Sequence, residues 1–94
     1  MTAAVKLGYK VIYDSGLVKD APGGLFVIIN TDIDAATVVV SDDNKSIHGT
    51  TTGPILFSGA IPAGGVVHFG GIGIACNKGI SVYCPGATLN IVYT

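Results

Sequence analysis

The residues whose chemistry would suit an active site are few, and most of them are aspartates. Asp42 and Asp43 are adjacent, and in an extended chain neighbouring side chains point to opposite sides, which makes a poor general acid–base pair. Asp32 and Asp34 have the spacing to share a side. They lie in a predicted turn, however, where aspartate commonly accepts a hydrogen bond from nearby backbone. We therefore interpret all four carboxylates as structural.

The histidines and cysteines do not have the spacing of a metal site. His48 falls in a predicted loop, whereas His68 falls in a predicted strand, where its alternation with Val66 indicates partial burial and a hydrogen bond. A zinc site needs three or four converging ligands, and the two cysteines form no Cys-x-x-Cys pair. A nucleophilic pair of Cys76 and His68 stays an alternative. A reactive thiolate needs an accessible, electropositive setting, and nothing in the sequence supplies one.

The two cysteines are predicted to be buried, reduced thiols. Asn77-Lys78-Gly79 has the composition of a hairpin turn. Such a turn would place Cys76 opposite Ile80 or Ser81 and leave Cys84 out of register for a disulfide.

Three other features resemble ligand sites only in part. A calcium site built from Asp32, Asp34 or Asp42 stays an alternative, although the spacing is not that of an EF-hand, whose loop ends in glutamate. Residues 70–73 (GGIG) match neither dinucleotide- nor phosphate-binding patterns, and no helix is predicted after them. The uncharged loop around residues 50–52 is a candidate contact loop. We predict no catalytic, cofactor-binding or metal-binding residue and no enzymatic activity.

Composition predicts a β protein with an unusually uncharged surface. The chain has 94 residues and contains no Glu, Gln, Arg or Trp, whereas Val, Ile and Thr account for 30 residues. These β-branched side chains fit a pleated sheet. Charged residues make up 12%, about half the usual ~25%. A surface of this kind is often covered by other protein, so we expect a homo-oligomer.

The charge also excludes some partners. A net charge of −1 without arginine argues against nucleic acid, which is bound through clustered cations. No apolar run reaches the ~20 residues of a membrane-spanning helix. The first ten residues lack the apolar centre of a signal peptide, so we expect folding in a cytoplasm.

The chain is predicted to form a single β-sandwich or jelly-roll domain of seven to eight strands. Turn signals recur at roughly 8–12-residue spacing, as in such folds. The predicted strands are residues 9–14, 25–31, 36–42, 54–58, 66–69, 74–76, 79–84 and 87–93. We expect the second and third to form a hairpin-like pair and the last two to form a hairpin with its turn at Pro85-Gly86. The longest loop is predicted at residues 43–53, and residues 70–73 as a bulge or corner.

Alternation within the predicted strands identifies the core. Three sets of side chains, each on one face of a strand, are expected to meet there: Ile80, Val82 and Cys84; Leu89, Ile91 and Tyr93; Leu25, Val27 and Ile29. Residues 1–8 are small and lack turn signals, so we interpret them as an extended N-terminal arm laid on a neighbouring subunit.

From Pro22 onward the chain resembles small virion proteins of tailed bacteriophages. The segments that carry the likeness are GGLFVIINTDIDAATVVVSDD, GTTTGPILFSGAIPAGGVVHFGGI and KGISVYCPGATLNIVY, and the match covers residues 22–94. Such proteins are commonly β-sandwiches that serve as capsid cement or decoration proteins or as parts of the head–tail and tail apparatus. Two cysteines and the lack of Arg and Glu depart from the pattern and leave the position in the virion open.

The resemblance implies a structural virion protein, assembled in the host cytoplasm, that binds the capsid surface and stabilises the particle. Its partners would be copies of itself and a major capsid or other virion protein. A head–tail or tail component, or a receptor- or carbohydrate-binding module on a fibre, is the alternative. An enzyme is disfavoured, because acid–base chemistry has few candidate residues here.

Overall fold

A computed structural model describes residues 7–45 and 53–94, and these residues form only strands and their connections. The predicted all-β class is confirmed. The seven strands are β1 (Gly8–Lys19), β2 (Gly23–Asn30), β3 (Ala36–Ser41), β4 (Ile55–Ile61), β5 (Val66–His68), β6 (Ile74–Cys76) and β7 (Ile80–Tyr93). The predicted arm falls almost wholly outside the described residues, and Gly8 belongs to β1. Of the predicted 43–53 loop, residues 46–52 also lie outside them.

The strands form one antiparallel sheet in the order β4-β3-β7-β2-β5, with β1 paired to β7 and β6 paired to β2. The predicted pairing of β2 with β3 is wrong, because β7 lies between them. The turn at residues 31–35 therefore crosses from one side of β7 to the other. The sheet curls until it is nearly closed. The ring of Phe57 in β4 and the ring of Phe69, directly after β5, meet edge to face at 6.0 Å between centroids.

The two longest strands bend together, and the bend divides the sheet into two halves. Pairing of β1 with β7 jumps from Tyr13 opposite Thr88 to Asp14 opposite Cys84. Pro85-Gly86 is thus a bulge inside a continuous β7, not the predicted turn between two strands. Gly86 has φ 69° and Asp14 also has φ 69°, and the Gly86 N–H donates to Asp14 Oδ1 at 2.9 Å. The first strand is also longer than the predicted residues 9–14, because β1 continues to Lys19.

The core fills the inside of this curled sheet. Two of the predicted sets are confirmed: Ile80, Val82, Cys84, Leu89 and Ile91 are fully buried, and half-buried Tyr93 packs against them. The third set needs correction. Leu25 is buried as predicted, but the next β2 residue in the core is Ile28, and Val27 and Ile29 face outward. A register shift between Leu25 and Val27 reverses the alternation.

The predicted hairpin turn at Asn77-Lys78-Gly79 is also wrong, because β6 pairs with β2 and not with β7. The predicted state of the thiols is nevertheless confirmed, since Cys76 and Cys84 are both free and buried. Residues 70–73 form the connection from β5 to β6, and Gly70 and Gly73 there have positive φ values of 82° and 70°.

A buried asparagine ties two connections, residues 31–35 and residues 62–65, to the sheet. Asn30 is 0% exposed, and its Nδ2 donates to the carbonyl oxygens of Asp34, Ile61 and Pro62 at 2.9, 3.0 and 3.1 Å. Its Oδ1 accepts the N–H of Asp32 at 2.9 Å. The amide uses both its donor and its acceptor, as a polar group in an apolar interior must.

Candidate interaction surface

Asp42, one of the four carboxylates singled out in the sequence, binds the backbone of residues 77–79. It is 6% exposed and accepts the N–H groups of Asn77, Lys78 and Gly79 at 2.9, 2.8 and 3.3 Å. Donation from the Asn77 N–H, reinforced by the other two, lowers the pKa of Asp42 below its ordinary value even though burial opposes the shift. Only glycine fits at position 79, because a Cβ there would lie 2.3 Å from the Lys19 carbonyl oxygen.

Asp14, Asp32 and Asp43 also accept backbone N–H groups. Asp43 is buried and accepts the Lys45 N–H at 3.1 Å. The turn reading of Asp32 is confirmed, because its two oxygens accept the N–H groups of Ile33 at 2.8 Å and Thr88 at 3.2 Å. The structure therefore uses these carboxylates to close turns.

The candidate Cys–His pair does not come together. His68 is exposed at the end of β5, contrary to the predicted partial burial. It lies opposite Val27 of β2, whereas Cys76 lies opposite Gly23, which is about 13 Å further along that strand. Burial raises the pKa of the Cys76 thiol. It also raises that of Cys84 to about 11, with a smaller contribution from the charge of Asp14. Both thiols stay protonated at neutral pH.

Within residues 7–45 and 53–94, no three His, Cys, Asp or Glu side chains lie close enough together to hold a metal ion. The calcium alternative therefore has no supporting site among these residues. The same residues contain no helix that is long and apolar enough to cross a membrane. An open depression beside β1 is lined by Lys10, Lys19, Asp20 and Tyr93. Lys10 is engaged there, because its Nζ donates to the Leu17 carbonyl oxygen at 3.0 Å.

One half of the sheet, on the far side of the bend, consists of β1 up to Tyr13, β7 from Thr88, β2 and β5. The outer side of this half calls for an explanation. Cross-strand partners share one side of a sheet, so the register defines which residues lie together on it. One row is Tyr9, Val92, Val27 and His68, the next is Val11, Asn90, Ile29 and Val66, and the third is Tyr13 and Thr88. We call these ten residues the outer sheet face.

The outer sheet face is apolar and bears no carboxylate, lysine or arginine. Tyr9 is 71% exposed, Tyr13 68%, Val11 57% and Val66 47%, and Val27, Ile29 and Val92 are half-buried. Leu7, two residues before Tyr9 and directly before β1, is also exposed, at 46%. Contiguous apolar patches of several hundred Å² on a soluble protein mark interaction sites.

Sequence reasoning missed this surface although part of its signal was visible. Tyr9, Val11 and Tyr13 alternate with Lys10 and Ile12, which predicts a strand with two different sides. Ile12 is the buried member, at 4% exposure. The alternation could not show which side met the core, because Lys10 lies on the core side at the open edge of β1.

Asn90 lies in the middle row, between Val11 of β1 and Ile29 of β2. Its Oδ1 is buried, and no group of the described residues donates a hydrogen bond to it. An unpaired buried acceptor costs about 1–3 kcal/mol. The amide therefore has hydrogen-bonding capacity that the described part of the chain leaves unused.

Comparison of the chain with protein-family models, with curated proteins and with solved structures finds no match in any of the three.

Proposed function

We propose that this protein is a structural virion subunit, a cement or decoration protein that binds the capsid surface and stabilises the particle through contacts between subunits. The observation that carries the proposal is the outer sheet face. A β domain with this much uncharged, apolar sheet surface gains stability when other protein covers it. The likeness of residues 22–94 to tailed-phage virion proteins supports the same class.

The polar groups of the described residues support a structural role and not a chemical one. Asp32, Asp42 and Asp43 accept backbone N–H groups, and the thiols of Cys76 and Cys84 are buried. Each of these groups stabilises a turn or fills the core. The surface that remains for function is the one built from aliphatic and aromatic side chains.

A second candidate function is carbohydrate binding by a fibre-borne module, and one observation favours it. Tyr9 and Tyr13 stand on the same side of β1 and are both largely exposed, so their rings offer flat apolar platforms with a polar tip. Asn90 lies in the adjacent strand on that side. Aromatic rings beside an amide suit a sugar as well as a protein.

The test is cosedimentation of the natural protein with purified capsids that were assembled without it. We expect saturable binding and a higher temperature of capsid disruption when the protein is bound. The Val11→Lys variant places a charge in the outer sheet face and should weaken binding at least about ten-fold. Ser58→Lys places the same charge on an exposed residue of β4 and should leave binding unchanged.

A glycan array run in parallel separates the two candidates. Failure to bind any capsid component, together with specific glycan binding that is lost in Tyr9→Ala, would replace the structural proposal with the second candidate. Failure in both experiments would overturn both.

A further inference from the structure

We propose that the outer sheet face is covered by a second copy of this chain, with the two faces packed against each other about a two-fold axis. The inference rests on the proposed function and specifies which subunit covers the face: a second bound copy, so that Val11→Lys weakens capsid binding by separating the paired copies. It rests on the area of the face, its charge, the state of the adjacent edge and the unpaired amide of Asn90.

The area of the face matches what a specific dimer needs. Tyr9 and Tyr13 are 71% and 68% exposed, and at about 200 Å² for an aromatic side chain they contribute roughly 300 Å². The exposed valines and the half-buried members of the face double this to on the order of 600 Å² per copy, or about 1,200 Å² for the pair, the lower end of specific interfaces.

The charge of the face permits it to meet its own copy. A two-fold axis brings every group close to its own equivalent or exchanges it with a second position on the same surface. A charged face would therefore face like charges, whereas steered recognition of a different partner commonly uses complementary charges. The outer sheet face contains no lysine or aspartate, and its only ionisable groups are two tyrosine hydroxyls and His68 at one corner.

The open edge of β1 is protected against the addition of another strand, which favours association through the face over association through the edge. Lys10 occupies a core-side position, opposite buried Ile91, and its Nζ donates to the Leu17 carbonyl oxygen further along β1. An inward-pointing charge on an edge strand is a common means by which β proteins prevent strand addition. The edge is thus protected, and the face beside it is not.

Asn90 supplies the polar contact that would set the register of the dimer. Its Oδ1 has no donor among the described residues, and it lies in the central row of the face. With a two-fold axis near this residue, rotation about the terminal side-chain torsion lets the Nδ2–H of each amide donate to Oδ1 of the second copy's amide. A single asparagine in an apolar seam specifies pairing in coiled coils in the same way.

The experiment is light scattering of the natural chain over a concentration series. We expect the mass to approach twice 9.5 kDa with increasing concentration. Val11→Lys should weaken association by at least about 100-fold, and Ser58→Lys should not change it. Asn90→Ala should reduce association less than Val11→Lys does.

A natural chain that stays monomeric at all concentrations would overturn the inference, as would a dimer that Val11→Lys leaves intact while its circular dichroism stays native. The proposed function has its own outcome. A monomer that still cosediments with capsids would overturn the second-copy inference and keep the proposed function. A dimer that binds no capsid component would keep the second-copy inference and overturn the proposed function.

Discussion

The half of the sheet that contains β2 and the end of β7 from Thr88 has an inner and an outer side, and the two sides differ in their burial. On the inner side Ile91, Ile28 and Leu89 are fully buried, and Asn30 satisfies both ends of its amide within the molecule. On the outer side Val92 and Val27 are only half-buried, and the Asn90 Oδ1 has no partner among the described residues. The inner side is fully packed within one chain. The outer side has the apolar composition of a protein interior but is not covered by the described part of the chain.

This difference separates folding from association. Side chains on the inner side should control the free energy of unfolding, and side chains on the outer side should control binding. Matched variants of the two sides, and variants of the polar contacts that fix the inner side, therefore distinguish folding from association.

The largest contrast is expected between two neighbours on β1. Ile12 is 4% exposed and Val11 is 57% exposed, so a lysine at the first position is buried and at the second is solvated. Ile12→Lys should destabilise the fold by about 4 kcal/mol or more, which leaves the domain largely unfolded. Val11→Lys should change the stability of the monomer by less than about 0.5 kcal/mol. Urea unfolding at low protein concentration measures both, and equal costs at the two positions would contradict the two-sided account.

The two asparagines provide the second contrast. Asn30→Ala removes donors to three backbone carbonyls and should lower the free energy of unfolding by about 3 kcal/mol. Asn90→Ala removes a buried acceptor that has no donor, so it should leave the stability of the isolated chain unchanged or raise it slightly. Urea unfolding of both variants at low protein concentration excludes any contribution from association. A cost at Asn90 equal to that at Asn30 would show that Asn90 is satisfied within the chain.

A smaller effect, with a pH signature, is expected at Asp42. Its lowered pKa means that the ionised form is stabilised by folding. This stabilisation is therefore fully present above the unfolded-state value of about 3.9 and is lost as pH falls through the lower folded pKa. Asp42→Ala should cost about 2 kcal/mol at pH 7 because three N–H groups lose their acceptor, and the difference from the natural chain should shrink in acid.

Exposed Asp34 is the control for this prediction, since its carboxylate makes none of these contacts. Asp34→Ala should have little effect on unfolding at either pH. A gap between Asp42→Ala and the natural chain that stays constant down to strong acid would contradict the assignment.

The last prediction concerns the reactivity of the two buried thiols, which is measured with little change to the structure. Burial raises the pKa of Cys84 to about 11, and Cys76 is shifted in the same direction. Both should resist a thiol reagent at pH 8 in the folded protein and react on unfolding. A Val11→Cys variant should add one thiol that reacts at once in dilute solution and becomes protected as the protein associates. Rapid reaction of Cys84 in the native chain would show that the bend opens.

Local patterns in the sequence predicted more of the elements than of their connections. The strands at residues 74–76 and 66–69 and the buried set from Ile80 to Ile91 follow from alternation and β-branched content. The pairing of β2 with β7 depends on contacts between residues far apart in the chain. A turn of composition TDIDA is compatible with a hairpin and with a crossing, so the sequence could not distinguish the two.

Bulges account for the other differences. Pro85-Gly86 has the composition of a turn, but it lies in a bulge between the pairs Tyr13–Thr88 and Asp14–Cys84. Asp14 there is a non-glycine residue at positive φ, and a single-sequence pattern does not reveal such a conformation. The shift after Leu25 exchanged the inner and outer sides of β2. Simple alternation assigns Val27 and Ile29 to the core, and for this reason it does not reveal the outer sheet face.

The measurement that tests the central claim most directly is hydroxyl-radical footprinting of the tyrosines in dilute, concentrated and particle-bound protein. Tyr9 and Tyr13 are 71% and 68% exposed in the single chain, and half-buried Tyr83 on the other half of the sheet is the internal reference. We predict that modification of Tyr9 and Tyr13 falls to or below the rate of Tyr83 on assembly, while Tyr83 itself does not change. Tyr9 and Tyr13 that stay fully reactive in every assembled state would contradict the claim that other protein covers this face.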